Sequence, residues 1–355
     1  MLPHLLRAGD WFARSGIQAP TGGVARFYRT DLARNNSIST EITGYAASAF
    51  VYLHSLTGDP IYLDRAAAAA RFLSRTAWDP ALGLMPFELD PARFSYFFDS
   101  GIVVRGVLSV WRAAGDGEFR DVAIQLGRRM AEGFACDGAD FHPVLCLPDC
   151  RPLERDPTRW SLSSGAYQLK AGMAWWDLFE ATGDANFAEL YDRILNLSLR
   201  DAPNFLPGDP NPLKVMDRLH AFLYFLEGLL PRAAEPRCAA ALDEGISRVE
   251  GLLWEIAPTF VRSDVVAQLL RIRLFADCSG AVPLDLTAAR REAAVLADFQ
   301  ASSPDPRMDG GFYFGRKGAE WLPYINPVST AFALQALALW ECYSHGVRPQ
   351  RPLLI

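Results

Sequence analysis

Two acidic residues stand where their type and spacing suit proton transfer. Glu41 lies in Ser39-Thr40-Glu41-Ile42-Thr43-Gly44-Tyr45 and Asp99 in Phe97-Phe98-Asp99-Ser100-Gly101, each at the front of a long apolar stretch with helical period. Two carboxyls facing one acetal can split it: one, held protonated, gives its proton to the leaving oxygen while the other activates water or attacks carbon. A separation of about 5–5.5 Å would mean retention of configuration and about 6.5–9.5 Å inversion. Each residue also has a plainer use, Glu41 as a first-turn acid on the helix dipole and Asp99 as an N-cap.

A second chemistry, removal of a proton next to a carboxylate, needs a base, an acid and cations that neutralise the carboxylate. His220, in Asp217-Arg218-Leu219-His220, is one of five histidines and could be acid or base, or a hydrogen-bonded structural ring. Arg105, Lys170, Arg218, Arg262 and Arg316 are the candidate cations; Arg105 and Lys170 fall among apolar neighbours, where a charge either snorkels outward or points at something. Asp264 can pair with Arg262 in solvent. Tyr45, Tyr167, Tyr313, Glu320, Trp321 and Tyr324 complete the candidate substrate contacts, the last three beside a glycine-rich loop at 308–318 that reads as a lid hinged on Gly310, Gly311, Gly315 and Gly318. That loop lacks a G-K-[ST] ending and is no phosphate cradle. Cys146 and Cys150, with only His142 near, read as an ordinary loop pair, so neither metal nor cofactor is expected.

The elements that must position these groups are helices. The 355 residues are half apolar, with a net charge of -6 and no Lys/Arg run, which argues against nucleic acid as a partner. No window approaches 18 unbroken apolar residues, and Arg7 and Asp10 interrupt the front of the chain where a signal peptide needs its apolar centre, so a cytoplasmic protein is expected. Six cysteines are too sparse for a disulfide framework.

One unit recurs: an apolar helix, a Gly-Asp turn, an aromatic three residues after the Asp, and a second helix. Its copies turn at Gly58-Asp59, Gly115-Asp116 and Gly183-Asp184, with Tyr62, Phe119 and Phe187 as the aromatics. Glycine supplies the left-handed residue that ends one helix and aspartate caps the next. Weaker pairs follow at 218–255 and 264–300, and the first and last helices can pair with each other. The chain is therefore expected to be all-α, a single domain over 1–355 forming an (α/α)6 toroid, with an open α-solenoid as the alternative. Long connections precede the first helix of each pair, so a closed ring would gather them at one mouth together with six positive helix ends. The mouth segments are near-balanced in charge although the chain is acidic, which favours an anionic ligand, and they hold many aromatics, which suit the flat faces of sugar rings.

The run TGGVARFYRTDLARNNSISTEITGYAASAF, then TGDPIYLDRAAAAARFL and FFDSGIVVRGVLSVWRAAGD, resembles six-hairpin glycosidase-like proteins of polysaccharide assembly, distantly similar to unsaturated glucuronyl hydrolases and to glucuronyl C5-epimerase catalytic domains. The resemblance is clearest over 20–135. It implies action on a uronic-acid-containing oligo- or polysaccharide, hydrolase-like through Glu41 and Asp99, with C5 epimerisation or elimination, or a non-catalytic glycan-binding subunit, as alternatives. In related hydrolases an acid in a D-[ST]-G context at the place of Asp99 is functional. The C-terminal DGGFYFGRKGAEWLPYINPVSTAFALQAL also resembles terpenoid-cyclase and prenyltransferase toroids, but no DxDD motif accompanies it. The end Arg348–Ile355 could be a free tail or a docking segment, and the oligomeric state stays open.

Overall fold

The computed structural model describes residues 3–136, 140–348 and 354–355. Its twelve helices are α1 (Pro3–Arg14), α2 (Thr40–Thr57), α3 (Pro60–Arg71), α4 (Phe97–Ala114), α5 (Gly117–Gly133), α6 (Leu169–Thr182), α7 (Ala185–Asp201), α8 (Pro212–Leu229), α9 (Pro236–Ile256), α10 (Ser263–Cys278), α11 (Leu286–Ala297) and α12 (Pro327–Ser344). They pair as the repeat predicts: α2 with α3, α4 with α5, α6 with α7, α8 with α9 and α10 with α11, while α1 packs on α12. The three Gly-Asp turns are built alike. Gly58, Gly115 and Gly183 take φ near 70°, and Asp59, Asp116 and Asp184 accept the N–H two residues on. Tyr62, Phe119 and Phe187 are buried beyond the turns.

The chain forms two compact units. One comprises residues 18–26 and 37–202, the other 1–17, 27–36 and 203–355. Within the first, α2, α4 and α6 are the inner helices, buried on most faces, and α5 and α7 show solvent a polar stripe. The inner helices meet at backbone contact. A Cβ at Gly106 would stand 2.5 Å from the Gly44 carbonyl oxygen, and one at Gly101 2.5 Å from the Ala171 backbone, so only glycine permits these approaches. In the second unit α8, α10 and α12 play the same part around a buried Arg271, which bonds Glu227 and, at 3.0 Å, Gln335.

The sequence carries few strand-like runs, yet the long connections contain short antiparallel ladders. Val24–Ala25 pairs with Ile38–Ser39, and Val144–Cys146 pairs with both Phe94–Tyr96 and Arg151–Pro152. In the second unit Gly315–Lys317 pairs with Phe260–Arg262 and with Glu320–Trp321. In the loop expected to be a lid, Gly310 and Gly311 lie against Arg7 and Trp11 of α1, Gly315 approaches Val261, and Gly318 turns the hairpin at φ 55°. Among the described residues, which include all six cysteines, there is no disulfide. Residues 349–353 of the Arg/Pro-rich end lie outside the described residues; Leu354 and Ile355 are buried, and the Ile355 N–H donates to Gln335 at 3.2 Å. Among the described residues no helix is long and apolar enough to cross a membrane.

Candidate active site

The segment Ser39–Gly44 does more than start a helix. Ser39 caps α2, accepting the Ile42 N–H at 3.4 Å, and the Thr43 hydroxyl bonds back to Ser39 O at 2.7 Å while accepting the Val24 N–H at 2.9 Å. Thr40 donates its N–H to Phe87 O at 3.0 Å and its hydroxyl to Pro86 O at 2.9 Å. Two loops are thus hung on the first turn of α2. They bring Arg26 and Glu88 into an ion pair of 3.1 Å beside Glu41, with the Arg26 guanidinium 5.0 Å above the Phe87 ring. On α4, Asp99 is not the N-cap: that position belongs to Tyr96, fixed by the strand Phe94–Tyr96, and Ser100 bonds back to Tyr96 O at 2.9 Å.

Asp99 is buried, and its Oδ2 has no hydrogen-bond partner. Neither the Glu41 carboxyl nor the Tyr96 hydroxyl bonds to any described residue. A buried polar atom without a partner is costly and rare, and Asp99 Oδ2, beside two further groups with no hydrogen-bond partner, marks a place shaped for something else. Glu41 is partly exposed, so solvent reaches it, but it is enclosed enough that burial pushes its carboxyl up to about 7 against the opposing pull of Arg26. Burial, and then the neighbouring Glu41 charge, hold Asp99 well above the ordinary carboxylate range. Tyr96 is raised by burial and by Asp99, with Arg159 and Arg26 opposing; Tyr167 is raised by burial first and Asp99 second. Two coupled carboxyls that resist double ionisation are the arrangement that keeps one proton available at neutral pH.

The remaining expected residues divide between the units. With Glu41 and Asp99 belong Tyr45, Tyr167, Arg105 and Lys170. Tyr45 and Lys170 are fully enclosed, and Tyr167 donates to Ser163 O at 2.9 Å. Arg105 is engaged by Asp177 at 2.9 Å, so its charge serves the contact between α4 and α6. His220, Arg218, Arg262, Asp264, Tyr313, Arg316, Glu320, Trp321 and Tyr324 belong to the other unit. There the Arg262–Asp264 pair, expected in solvent, is buried: Arg262 grips Asp264 with bonds of 3.0 and 2.6 Å and reaches Asp217 at 2.6 Å. His220 Nδ1 lies 2.7 Å from Gln268 Oε1 and 3.5 Å from Asp264, and burial pushes its pKa down to about 4, so the ring is neutral at pH 7. Arg218 holds Phe205 O at 2.9 Å. Tyr313 stacks on Trp321 at 5.1 Å with Arg316 5.4 Å from that ring, Glu320 is exposed, and Tyr324 packs on Phe27.

Arg26, Tyr96 and Arg159 belong to the Glu41–Asp99 cluster but were not among the expected site residues. Tyr96 had one signal, its place one turn before Asp99. Among the described residues no group of three or more His, Cys, Asp or Glu could hold a metal ion.

No protein family and no curated protein matches the chain in sequence. Solved structures resemble it in fold. A sugar epimerase from a ruminal bacterium superposes with a TM-score of 0.71 at 12% identity, covering 96% of each chain. A cellobiose 2-epimerase from Bacillus thermoamylovorans gives 0.68 at 12% identity, over 92% of this chain and 95% of that one. An inactive variant of an α-1,6-mannanase from Salegentibacter sp., in complex with α-1,6-mannotetrose, gives 0.60 at 11% identity, over 95% of this chain and 98% of that one. The chain shares the (α/α)6 fold of these structures, as the hairpin repeat predicts.

Proposed function

We propose that the chain is a glycoside hydrolase-like enzyme acting on a uronic-acid-containing oligo- or polysaccharide, with Glu41 and Asp99 as its paired carboxyls. The observation that carries this is the juxtaposition of two unpartnered, electrostatically coupled carboxyls at the starts of adjacent inner helices. Fold alone does not decide, since the similar structures include an epimerase and a mannanase. Asp99, the more deeply buried, keeps its proton and is the general acid to the leaving oxygen. Glu41, reachable by solvent and half-ionised near neutrality, is the base for water or the nucleophile. After bond cleavage Asp99 is ionised, and the proton released by water restores the pair.

A second reading, proton abstraction at C5 of a uronate, is favoured by His220: a neutral ring at pH 7 whose Nδ1 is fixed by Gln268 can accept a proton at Nε2. A glycan-binding subunit without catalysis is the third. Product analysis on uronate-containing oligosaccharides separates them. New reducing ends report hydrolysis, while deuterium entering C5 without chain shortening reports epimerisation. For the hydrolase, Glu41→Gln and Asp99→Asn should each lower turnover by about 10³-fold, with little change in melting temperature. Turnover unaffected by both substitutions would overturn the assignment. A binding subunit would show no turnover and keep its glycan affinity within a few-fold in both variants.

A further inference from the structure

Between strand Arg151–Pro152 and α6 the chain makes a small closed loop. The Asp156 N–H donates to Leu162 O at 3.2 Å, the Arg159 N–H to Asp156 O at 3.1 Å, the Leu162 N–H to Arg159 O at 3.0 Å, and the Ser163 hydroxyl to Asp156 O at 2.8 Å. The Asp156 carboxylate fixes the near side, accepting from the Thr158 N–H at 2.9 Å and its hydroxyl at 2.6 Å. The loop is fastened to the catalytic cluster by Tyr167, which donates to Ser163 O at 2.9 Å, meets the Trp160 ring edge-on at 5.1 Å and lies 6.1 Å from the Phe98 ring, next to Asp99. Arg159 sits at the apex. Its side chain is exposed and makes no ion pair or hydrogen bond with any described residue, whereas Arg155 on the same loop is taken by Asp140 at 3.0 Å and Arg26 across the cluster by Glu88 at 3.1 Å.

The loop therefore carries, near Tyr96 of the cluster, a guanidinium that no hydrogen bond or ion pair with a described residue holds, with the Asp156 carboxylate as the charge close to it. Neither Glu41 nor Asp99 bonds to it, and the Asp156 carboxylate is already engaged by the Thr158 N–H and hydroxyl. We propose that Arg159 is the specificity-determining residue of the site: its guanidinium binds the ring carboxylate of the uronic acid whose glycosidic bond faces Glu41 and Asp99, and so restricts the enzyme to acidic sugars. A guanidinium suits this task because its planar fork matches a carboxylate with two parallel bonds. The inference rests on the hydrolase reading above and adds to it the group that selects the substrate.

The test uses a panel of uronate-containing oligosaccharides and the same panel after carbodiimide–borohydride reduction, which turns each carboxylate into a neutral hydroxymethyl without changing linkage. Wild type should prefer the acidic panel, with KM rising with ionic strength. In Arg159→Gln, kcat/KM on the acidic panel should fall about 10- to 100-fold, as expected for loss of a charge-assisted pair, and the salt dependence should vanish. On the reduced panel Arg159→Gln and wild type should agree within a few-fold. Melting temperature should not move, since the side chain has no partner to lose, and Arg159→Lys should recover part of the preference. Equal turnover of the two panels by wild type, or an unchanged preference in Arg159→Gln, overturns the inference. Glu41→Gln tells that failure from failure of the hydrolase reading: a Glu41→Gln protein that still cleaves, or a wild type that cleaves neither panel, rejects both, whereas a dead Glu41→Gln beside a normal Arg159→Gln rejects Arg159 alone.

Discussion

Two clusters of buried ionisable groups, each at the start of an inner helix, are handled in opposite ways. At α10, Arg262 is clamped by Asp264 and Asp217; although burial pushes the Asp264 carboxyl up, the guanidinium holds it below its usual range. At α2 and α4, burial is not offset: Glu41 and Asp99 repel each other, Arg26 is shared with Glu88, and hydrogen bonds to the carboxyls are missing. A satisfied network makes structure, and an unsatisfied one waits for a ligand. The Arg262 cluster is thus expected to matter for stability and the Glu41–Asp99 cluster for turnover.

The contrast is sharpest in paired substitutions. Asp264→Asn leaves the buried Arg262 charge short of its main partner and should cost about 3–5 kcal/mol of unfolding free energy by urea titration. Asp99→Asn replaces a carboxyl oxygen that has no partner by an amide and should change stability by less than about 1 kcal/mol while lowering turnover by about 10³-fold. Equal losses of stability at the two sites would erase the distinction. A smaller effect is expected at Gly106, where a methyl would press on the Gly44 carbonyl oxygen and force α2 and α4 apart. Gly106→Ala should cost about 1–3 kcal/mol and lower kcat through the carboxyl spacing, although it touches neither acid.

The smallest effect is a pH dependence. The folded Glu41 carboxyl, at about 7 instead of 4.5, holds its proton where the unfolded chain has released it. Its contribution to stability therefore falls as pH rises from about 4.5 to about 7 and is level above that. After allowance for solvent screening this amounts to roughly 1–2 kcal/mol. Asp99, raised too, acts with the same sign. Glu41→Gln should flatten this slope in melting curves taken across that range, and an equally steep slope in the variant would assign it elsewhere.

Much of this was legible in the chain itself. The three Gly-Asp turns name their own geometry, because a left-handed residue followed by a capping carboxylate has one local solution, and the helix pairs follow from it. Glu41 and Asp99 could be picked out because helix starts preceded by long connections share one end. The rest depends on contacts remote in sequence. Arg26 reaches Glu41 only because Thr43 and Thr40 carry two loops on their side chains, and Arg159 reaches the cluster through Tyr167. Buried charge was the weakest signal. Arg105 and Arg262 looked alike as cations available to a substrate: Asp177, which occupies Arg105, lies 72 residues away, and although Asp264 beside Arg262 was legible as its partner, its burial and the second carboxylate, Asp217, 45 residues away, were not.

The pairing of Glu41 with Asp99 is tested most directly by following the carboxyl carbon of Asp99 by NMR through a pH titration, in wild type and in Glu41→Gln. A coupled pair predicts a wild-type midpoint well above the ordinary aspartate range that moves down once the neighbouring charge is gone. An Asp99 that titrates in the ordinary range, or at the same elevated pH in both proteins, would contradict the pair.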